Sequence, residues 1–469
     1  MAHSEPTLSR RTVLRRGAAA AAAGVALGTG GGTPQAAGRG QAPAAVTGRT
    51  FRAWIARGNG PGRTTLQDVR LLPVTGRQVV VRTEATNLCY SNVGAVLGIQ
   101  APGPGGANPA RVGLAAANAG SNARAIIQGH GGVGVVEAVG PEVRRVQVGD
   151  RVCVSGTPQC GSCYHCLRGR ADICQLLGRN GPNDLVPVAE LRDGTPVYSN
   201  SHIGGLAELM VTFEEWVVPV FTSASPVALG MVCSCVSVAG LGATTSGTLA
   251  QLEPGSVVAV VGCGPLGLSA VQGARIAGAS TIIAIDPIRQ RREAASAVGA
   301  THSLDPNVEG DGLIERVRAL SDGPTSRAWA GGRDSGGRRS GAGADLVIEA
   351  AGAEWVRPKL ESVPDTTGHV AVQNAYQMAN AGGHVITTGL IRGTLELPAF
   401  LFGIGGITHS GGQAGGANPM RDIPRFVEML DSGQYDAPAL ATTVAPLEDM
   451  LDAYEEVAYR TTITAIMTG

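Results

Sequence analysis

Aromatic residues are scarce in this 469-residue chain, where Phe, Trp and Tyr together make up 4%. That scarcity argues against a base-stacking platform, because single-stranded nucleic acid is held on aromatic faces lining basic grooves. Net charge is lacking too, with 37 basic residues against 37 acidic ones. No overall field therefore draws the protein to nucleic acid or anionic lipid. No apolar run approaches the roughly 20 residues of a membrane-spanning helix. Glycine, by contrast, is abundant at 69 residues in a 43% hydrophobic composition. This balance suits an α/β protein with long loops, and the length predicts two or three domains.

The N-terminal stretch "SRRTVLRRGAAAAAAGVALG" carries paired arginines, Arg10 and Arg11, then Val13-Leu14 and a weakly apolar run from Ala18 to Leu27. It resembles a twin-arginine export signal. Ala42-Pro43-Ala44 offers a small-residue cleavage site. Residues 1–44 are read as signal and linker, and the mature protein is expected in the periplasm or outside the cell. A cytoplasmic location is the alternative.

Further along, "VVVRTEATNLCYSN", "GVGVVEAVG" and "VGDRVCVSG" read as strands, with a turn at Gly149-Asp150. From Ser256 the pattern changes to an apolar strand, a glycine turn and a helix, then a second apolar strand and a helix ending at Gly299. Alternation of this kind predicts a parallel sheet covered by helices on both faces. "ADLVIEAAG" and "GGHVITTGL" continue the sheet. Residues 100–124 and 322–343 are Gly-, Ala- and Ser-rich without a sustained period, and are read as inserted surface loops.

Gly262-x-Gly264-x-x-Gly267 follows a strand and opens a helix, the context a dinucleotide fingerprint requires. The first glycine makes the turn, the second admits a diphosphate and the third lets helix and strand approach. The helix N-terminus would then face the phosphates. Asp286 ends the next strand, where a carboxylate accepts from a ribose 2′-hydroxyl and repels a 2′-phosphate. NAD is therefore expected over NADP. Arg289 and Arg291 soften that preference, and Arg291 is taken with the glycines and Asp286 as a coenzyme contact.

Four of the nine cysteines, Cys160, Cys163, Cys166 and Cys174, fall within fifteen residues as C-x2-C-x2-C-x7-C. Two short chelate loops and one longer return can wrap a tetrahedral zinc, leaving no position open for a substrate. Disulfides are the rival reading for an exported chain. An iron–sulfur cluster is a third, although the proline of the bacterial ferredoxin pattern is absent.

Taken together, the four-cysteine stretch, the later glycine fingerprint and the strand-rich first part resemble the zinc-dependent medium-chain alcohol dehydrogenases. The resemblance covers about residues 50–469. It implies an α/β fold: a GroES-like β-rich catalytic domain beside a Rossmann doubly wound parallel sheet, with the active site between them. The implied boundaries are 45–234 for the first part of the catalytic domain, with the structural-zinc lobe at 153–180. Residues 235–410 would form the NAD-binding domain and 411–469 the return to the catalytic domain.

The resemblance also implies two zinc ions per chain, the second bound by Cys89 of "NLCYSN", His130 of "GHGGVG" and Cys235 of "SCVSVAGLG". Cys233 is the alternative third ligand. Ser91 would take the substrate proton as hydride passes between an alcohol and NAD(H), with an aldehyde or ketone as the oxidised partner. Three departures stand out: Gly131 replaces the family's glutamate, Asn92 its aspartate, and Gly94 the histidine that ends its proton relay. Such supporting partners tune metal affinity by about 10–100-fold. Two other readings stand beside it: a reductase of the same superfamily without catalytic zinc, and, from another class, a non-catalytic dinucleotide-binding or sensor protein. Export would further demand that NAD be held tightly and recycled. Family members pair through the edge of the Rossmann sheet, so a homodimer or homotetramer is expected.

Overall fold

Val257–Val261 consists of five apolar residues, all buried, which is what a strand covered on both faces requires. It lies at the middle of a six-stranded sheet that runs in space as His302–Leu304, Thr281–Ile285, Val257–Val261, Ala344–Glu349, Ala379–Thr387 and Thr408–Gly411. Every neighbouring pair in it is parallel. The computed structural model describes residues 46–58, 62–99, 124–179, 185–321, 342–354, 356–363, 365–391 and 393–469. The export-signal reading of residues 1–44, and almost all of the insertions 100–124 and 322–343, fall outside them.

Upstream the chain is β-rich. Thr50–Arg57, Thr64–Leu71, Pro187–Glu190, Pro196–Ser199 and Ala125–Ile127 close into a barrel. A seven-stranded sheet is built around Gln78–Asn87, which pairs with Gly132–Val139 and with Leu209–Phe213. Strand Thr464–Thr468 returns from the far end of the chain and pairs antiparallel with the end of Gln78–Asn87, setting Ile466 opposite Asn87. The C-terminal segment is thus built into this β-rich sheet, and Leu88, just after the strand, donates its N–H to the Ala465 carbonyl at 3.0 Å.

Two short helices carry the chain from the β-rich part to the parallel sheet. Pro226–Val232 is capped by Ser225 and Cys235–Thr245 by Ser234, whose side chain accepts from the Ser237 N–H. No single helix among the described residues is long and apolar enough to cross a membrane. Helix Cys235–Thr245 packs against Pro265–Ile276, and Gly240 makes that contact possible. A Cβ at Gly240 would stand 2.3 Å from the Leu266 carbonyl. This close approach brings the start of one helix near the glycine turn that opens the other.

Candidate active site

Cys89 follows the end of strand Gln78–Asn87 and precedes the single 3-10 turn Tyr90–Asn92. His130 lies three residues past strand Ala125–Ile127, in a turn where Gly129 takes φ +91°. No other residue fits there, because a Cβ on Gly129 would meet the Leu206 N at 2.9 Å and the backbone at +91° disfavours any L side chain. Cys235 is the first residue of its helix, where the positive end of the backbone dipole favours a thiolate.

The three donor atoms converge, with Cys89 Sγ, a His130 ring nitrogen and Cys235 Sγ all within 4.8 Å of one another. His130 Nε2 stands 3.2 Å from Cys235 Sγ, and Cys89 Sγ 3.1 Å from Ser91 Oγ. The hydrogen bond with Cys235 holds the Cys89 thiol well below the usual thiol range; burial opposes this, and His130 assists it. Two thiolates and an imidazole form a soft donor set that suits zinc, and three ligands leave a fourth position free. Cys233 does not join them: the Cys153 thiol donates to its carbonyl at 3.6 Å, and it is packed in the core.

The altered positions around the set are now visible. Asn92 is buried, its Oδ1 lies 3.4 Å from Ser91 Oγ, and its Nδ2 makes no hydrogen bond. The carbonyl of Gly131 accepts from Thr86 Oγ1 at 2.7 Å. Tyr454, on the helix Met450–Tyr459, is buried against the Cys89 backbone. Burial, and then the nearby sulfurs of Cys89 and Cys235, push its phenol well above the usual range. Nothing in the local pattern around Tyr454 signals this role, because the strand pairing of the C-terminal segment creates it.

The other cysteine set lies in a lobe of short 3-10 turns. Its four sulfurs lie within 4.8 Å of one another, with Cys160–Cys166 at 3.9 Å and Cys163–Cys174 at 4.0 Å. Zinc–sulfur bonds of about 2.3 Å make a tetrahedron with edges of about 3.8 Å. The spacing fits that cage and is about twice a disulfide's ~2.05 Å. Backbone N–H groups of Cys163 and Cys166 donate to the sulfurs of Cys160 and Cys163 at 3.3 and 3.4 Å. Burial pushes the Cys166 thiol up to about 12. At Cys163 burial is outweighed by the N–H donors of Gln175 and Cys166, which bring it down to about 6. A cation is what would allow all four to ionise together.

The glycine turn has the shape a diphosphate needs. Gly262 takes φ +92°, and a Cβ at Gly267 would stand 1.9 Å from the Gly262 carbonyl. Helix Pro265–Ile276 begins with no side-chain cap, leaving its first N–H groups open. Asp286 accepts from the Cys263 N–H at 2.7 Å and from the Ile288 N–H at 2.8 Å, and lines the same cavity. Arg291 lies 4.0 Å from Asp286 and faces Gly264. Burial lowers its guanidinium pKa despite Asp286. Arg289, in contrast, is exposed on the outer side and pairs with Glu293. All of this opens onto one cavity of about 1510 Å³ that also takes in Cys89, Ser91, His130 and Cys235.

Residues 75–222 match the alcohol dehydrogenase GroES-like domain family, and residues 265–364 match the zinc-binding dehydrogenase family. Together the matches span more than half of the chain. The chain belongs to the zinc-dependent medium-chain dehydrogenase family. Among this family's members, the NDMA-dependent alcohol dehydrogenase of Amycolatopsis methanolica is 29% identical over 71% of this chain and 81% of its own length. Alcohol dehydrogenase B of Mycobacterium tuberculosis is 28% identical over 71% of this chain and 80% of its own.

The solved alcohol dehydrogenase zinc-binding domain protein of Burkholderia ambifaria superposes with a TM-score of 0.70 at 25% identity, covering 90% of this chain and 99% of that one. Benzyl alcohol dehydrogenase of Acinetobacter calcoaceticus shares the fold at TM-score 0.69 and 22% identity, with coverage of 90% and 99%. As a family member the chain is an alcohol dehydrogenase-like oxidoreductase, and its two-part α/β fold is the family's.

One further acid is buried next to the cavity-lining Ala350. Glu349 ends strand Ala344–Glu349, and its Oε1 accepts from the Gly352 N–H at 2.8 Å. Burial raises its pKa to about 7, against the pull of the N–H groups of Gly352, Ala351 and Gly389. An acid raised from 4.5 in the unfolded chain to about 7 in the folded one adds stability at low pH and loses it as pH rises through 7. At 1.36 kcal/mol per unit, that amounts to about 3 kcal/mol between pH 4 and 8. Urea unfolding at both pH values should show this slope in the wild type and a flatter one in Glu349→Gln. Equal slopes would contradict it.

Proposed function

We propose that the protein transfers hydride between an alcohol and NAD, giving the aldehyde or ketone, at the cavity that joins the Cys89 cluster to the glycine turn. The observation that carries this reading is the convergence of Cys89, His130 and Cys235 within 4.8 Å in the cavity that also exposes Gly262, Gly264 and Asp286. A zinc ion held by the three residues would supply Lewis acidity, lowering the pKa of an alcohol toward neutrality. NAD would take the hydride.

The chain's own residues then do the rest. Ser91 Oγ, beside Cys89 Sγ at 3.1 Å, accepts the substrate's hydroxyl proton. Asn92 Oδ1, at 3.4 Å, helps to orient it. With Gly94 where relatives end their relay in histidine, the proton leaves Ser91 directly to water. Gly262 and the open helix end receive the diphosphate, and Asp286, its oxygens aimed by two backbone N–H groups, takes the ribose hydroxyls. Cys160, Cys163, Cys166 and Cys174 hold a second zinc that has no part in the chemistry. The donor set at Cys89 also argues against the zinc-free reductase reading.

The test is reduction of NAD+ and NADP+ by purified protein with a panel of primary and secondary alcohols. We expect turnover with a kcat/KM ratio favouring NAD+, and a smaller ratio in Asp286→Ala, where the repulsion of a 2′-phosphate is removed. A preference for NADP+ in the wild type would contradict the coenzyme assignment. Failure of every alcohol in the panel would contradict the reaction.

A further inference from the structure

Arg460 ends the helix Met450–Tyr459 at φ +58° and ψ +31°, the left-handed position where helices ordinarily place glycine. It is the only arginine among the described residues with positive φ. It is also 5% exposed. A long cationic side chain, held in a disfavoured backbone conformation and buried, persists only where its surroundings over-determine it.

Those surroundings come from two parts of the chain that the site must bring together. One guanidinium nitrogen pairs with Glu354 at 2.5 Å, and the other donates to the Val356 carbonyl at 2.7 Å and to the Ala458 carbonyl at 3.1 Å. Glu354 belongs to the coenzyme side, since its own N–H donates to the Thr366 carbonyl and that of Ala353 to the Leu390 carbonyl. The plane of the guanidinium covers the ring of Tyr90 at 4.3 Å. The Tyr90 hydroxyl in turn accepts from the Val356 N–H at 3.0 Å. Tyr90 stands between Cys89 and Ser91. Arg460, Glu354 and Tyr90 all line the cavity.

We infer that Arg460 is a positioning residue: it clasps the Cys89–Ser91 segment to the coenzyme side through Tyr90, Glu354 and Val356, and so sets the separation across which hydride moves. Tyr90 supplies both a ring for the cation and an oxygen for the Val356 N–H, so one residue between the metal ligand and the proton acceptor is held from two directions. Misplacement by about 1 Å at such a site costs on the order of a hundredfold in rate.

The test uses Arg460→Gly combined with Glu354→Gln. Glycine suits the left-handed backbone, and the glutamine leaves no unpaired buried carboxylate, so the fold is kept while the clasp is lost. The expected result is a kcat lowered by roughly a hundredfold, with a larger deuterium isotope effect from C-deuterated alcohol. The NAD+ dissociation constant and zinc content should stay close to wild type. Arg460→Lys, which keeps the charge without the fork, should recover part of kcat.

Amide hydrogen exchange at Leu88–Asn92 should rise in the double variant. Only the kinetic arm rests on the dehydrogenase reading. A wild type that oxidises no alcohol would overturn that reading, and exchange would still decide the clasp. Unchanged exchange at Leu88–Asn92 overturns the inference. So does an unchanged kcat and isotope effect in an active protein, or a loss confined to NAD+ affinity.

Discussion

Cys89→Ala is expected to carry one zinc ion per chain where the wild type carries two, and to turn over alcohol at least about a thousandfold more slowly. The metal loss follows from geometry. Without its sulfur, only His130 Nε2 and Cys235 Sγ remain of the three donors, and Asn92, which is uncharged, gives the residual pair little support. The rate loss follows from the several kcal/mol that a Lewis acid contributes to stabilising developing charge, each 1.4 kcal/mol being tenfold. Ser91 also loses its neighbour at 3.1 Å. Elemental analysis of the purified variant beside its steady-state rate checks both halves. A variant with two zinc ions and near-normal turnover would remove Cys89 from the site.

Cys174→Ala should produce the opposite pattern, with one zinc lost, the Cys89 site still loaded and the lobe around residues 160–179 loosened. Cys174 is 1% exposed and closes the longer chelate loop. Structural zinc in small domains contributes on the order of 10 kcal/mol, all of it to folding of the segment it ties. Short 3-10 turns supply little regular hydrogen bonding of their own to hold the lobe. The lobe nevertheless touches the cavity rim, because Ile173 and Leu177 line it and the Ala171 N–H donates to Asn418 at 2.8 Å. Turnover should therefore fall by a smaller factor than in Cys89→Ala. New tryptic cleavage at Arg168 or Arg170 is the direct readout. Resistance to trypsin together with a full zinc complement would contradict the cage.

Much of the coenzyme half was legible in the sequence, since continuous apolar strands, a glycine turn and an acid at the next strand's end are local patterns. Strand Val257–Val261, helix Pro265–Ile276 and strand Thr281–Ile285 stand where those patterns lie. The choice between Cys233 and Cys235 was open on spacing alone, yet a local signal was present. Ser225 and Ser234 each cap a helix, so Cys233 ends the first and Cys235 starts the second. Arg289 and Arg291, two residues apart at the start of one helix, lie on different faces, and only the second reaches the cavity.

What was not legible depends on distant pairing. The resemblance implied that residues 411–469 return to the first domain, but not that strand Thr464–Thr468 pairs with Gln78–Asn87, nor that the return brings Tyr454 against Cys89 and Arg460 over Tyr90. The barrel strands were equally hidden. Ala125–Ile127 and Pro196–Ser199 are too short to show a period, and they become strands through their parallel partner.

The central claim is that a metal sits between Cys89, His130 and Cys235 in the cavity that receives the coenzyme. Anomalous diffraction at the zinc edge, from crystals of the protein grown without chelator and soaked in NAD, tests it most directly. The account predicts two zinc peaks per chain, one within the four-cysteine lobe and one bonded to Cys89 Sγ, Cys235 Sγ and His130 Nε2, with NAD density against Gly262 and Asp286. A single peak at the four-cysteine lobe, with NAD bound and the second donor set empty, would contradict it.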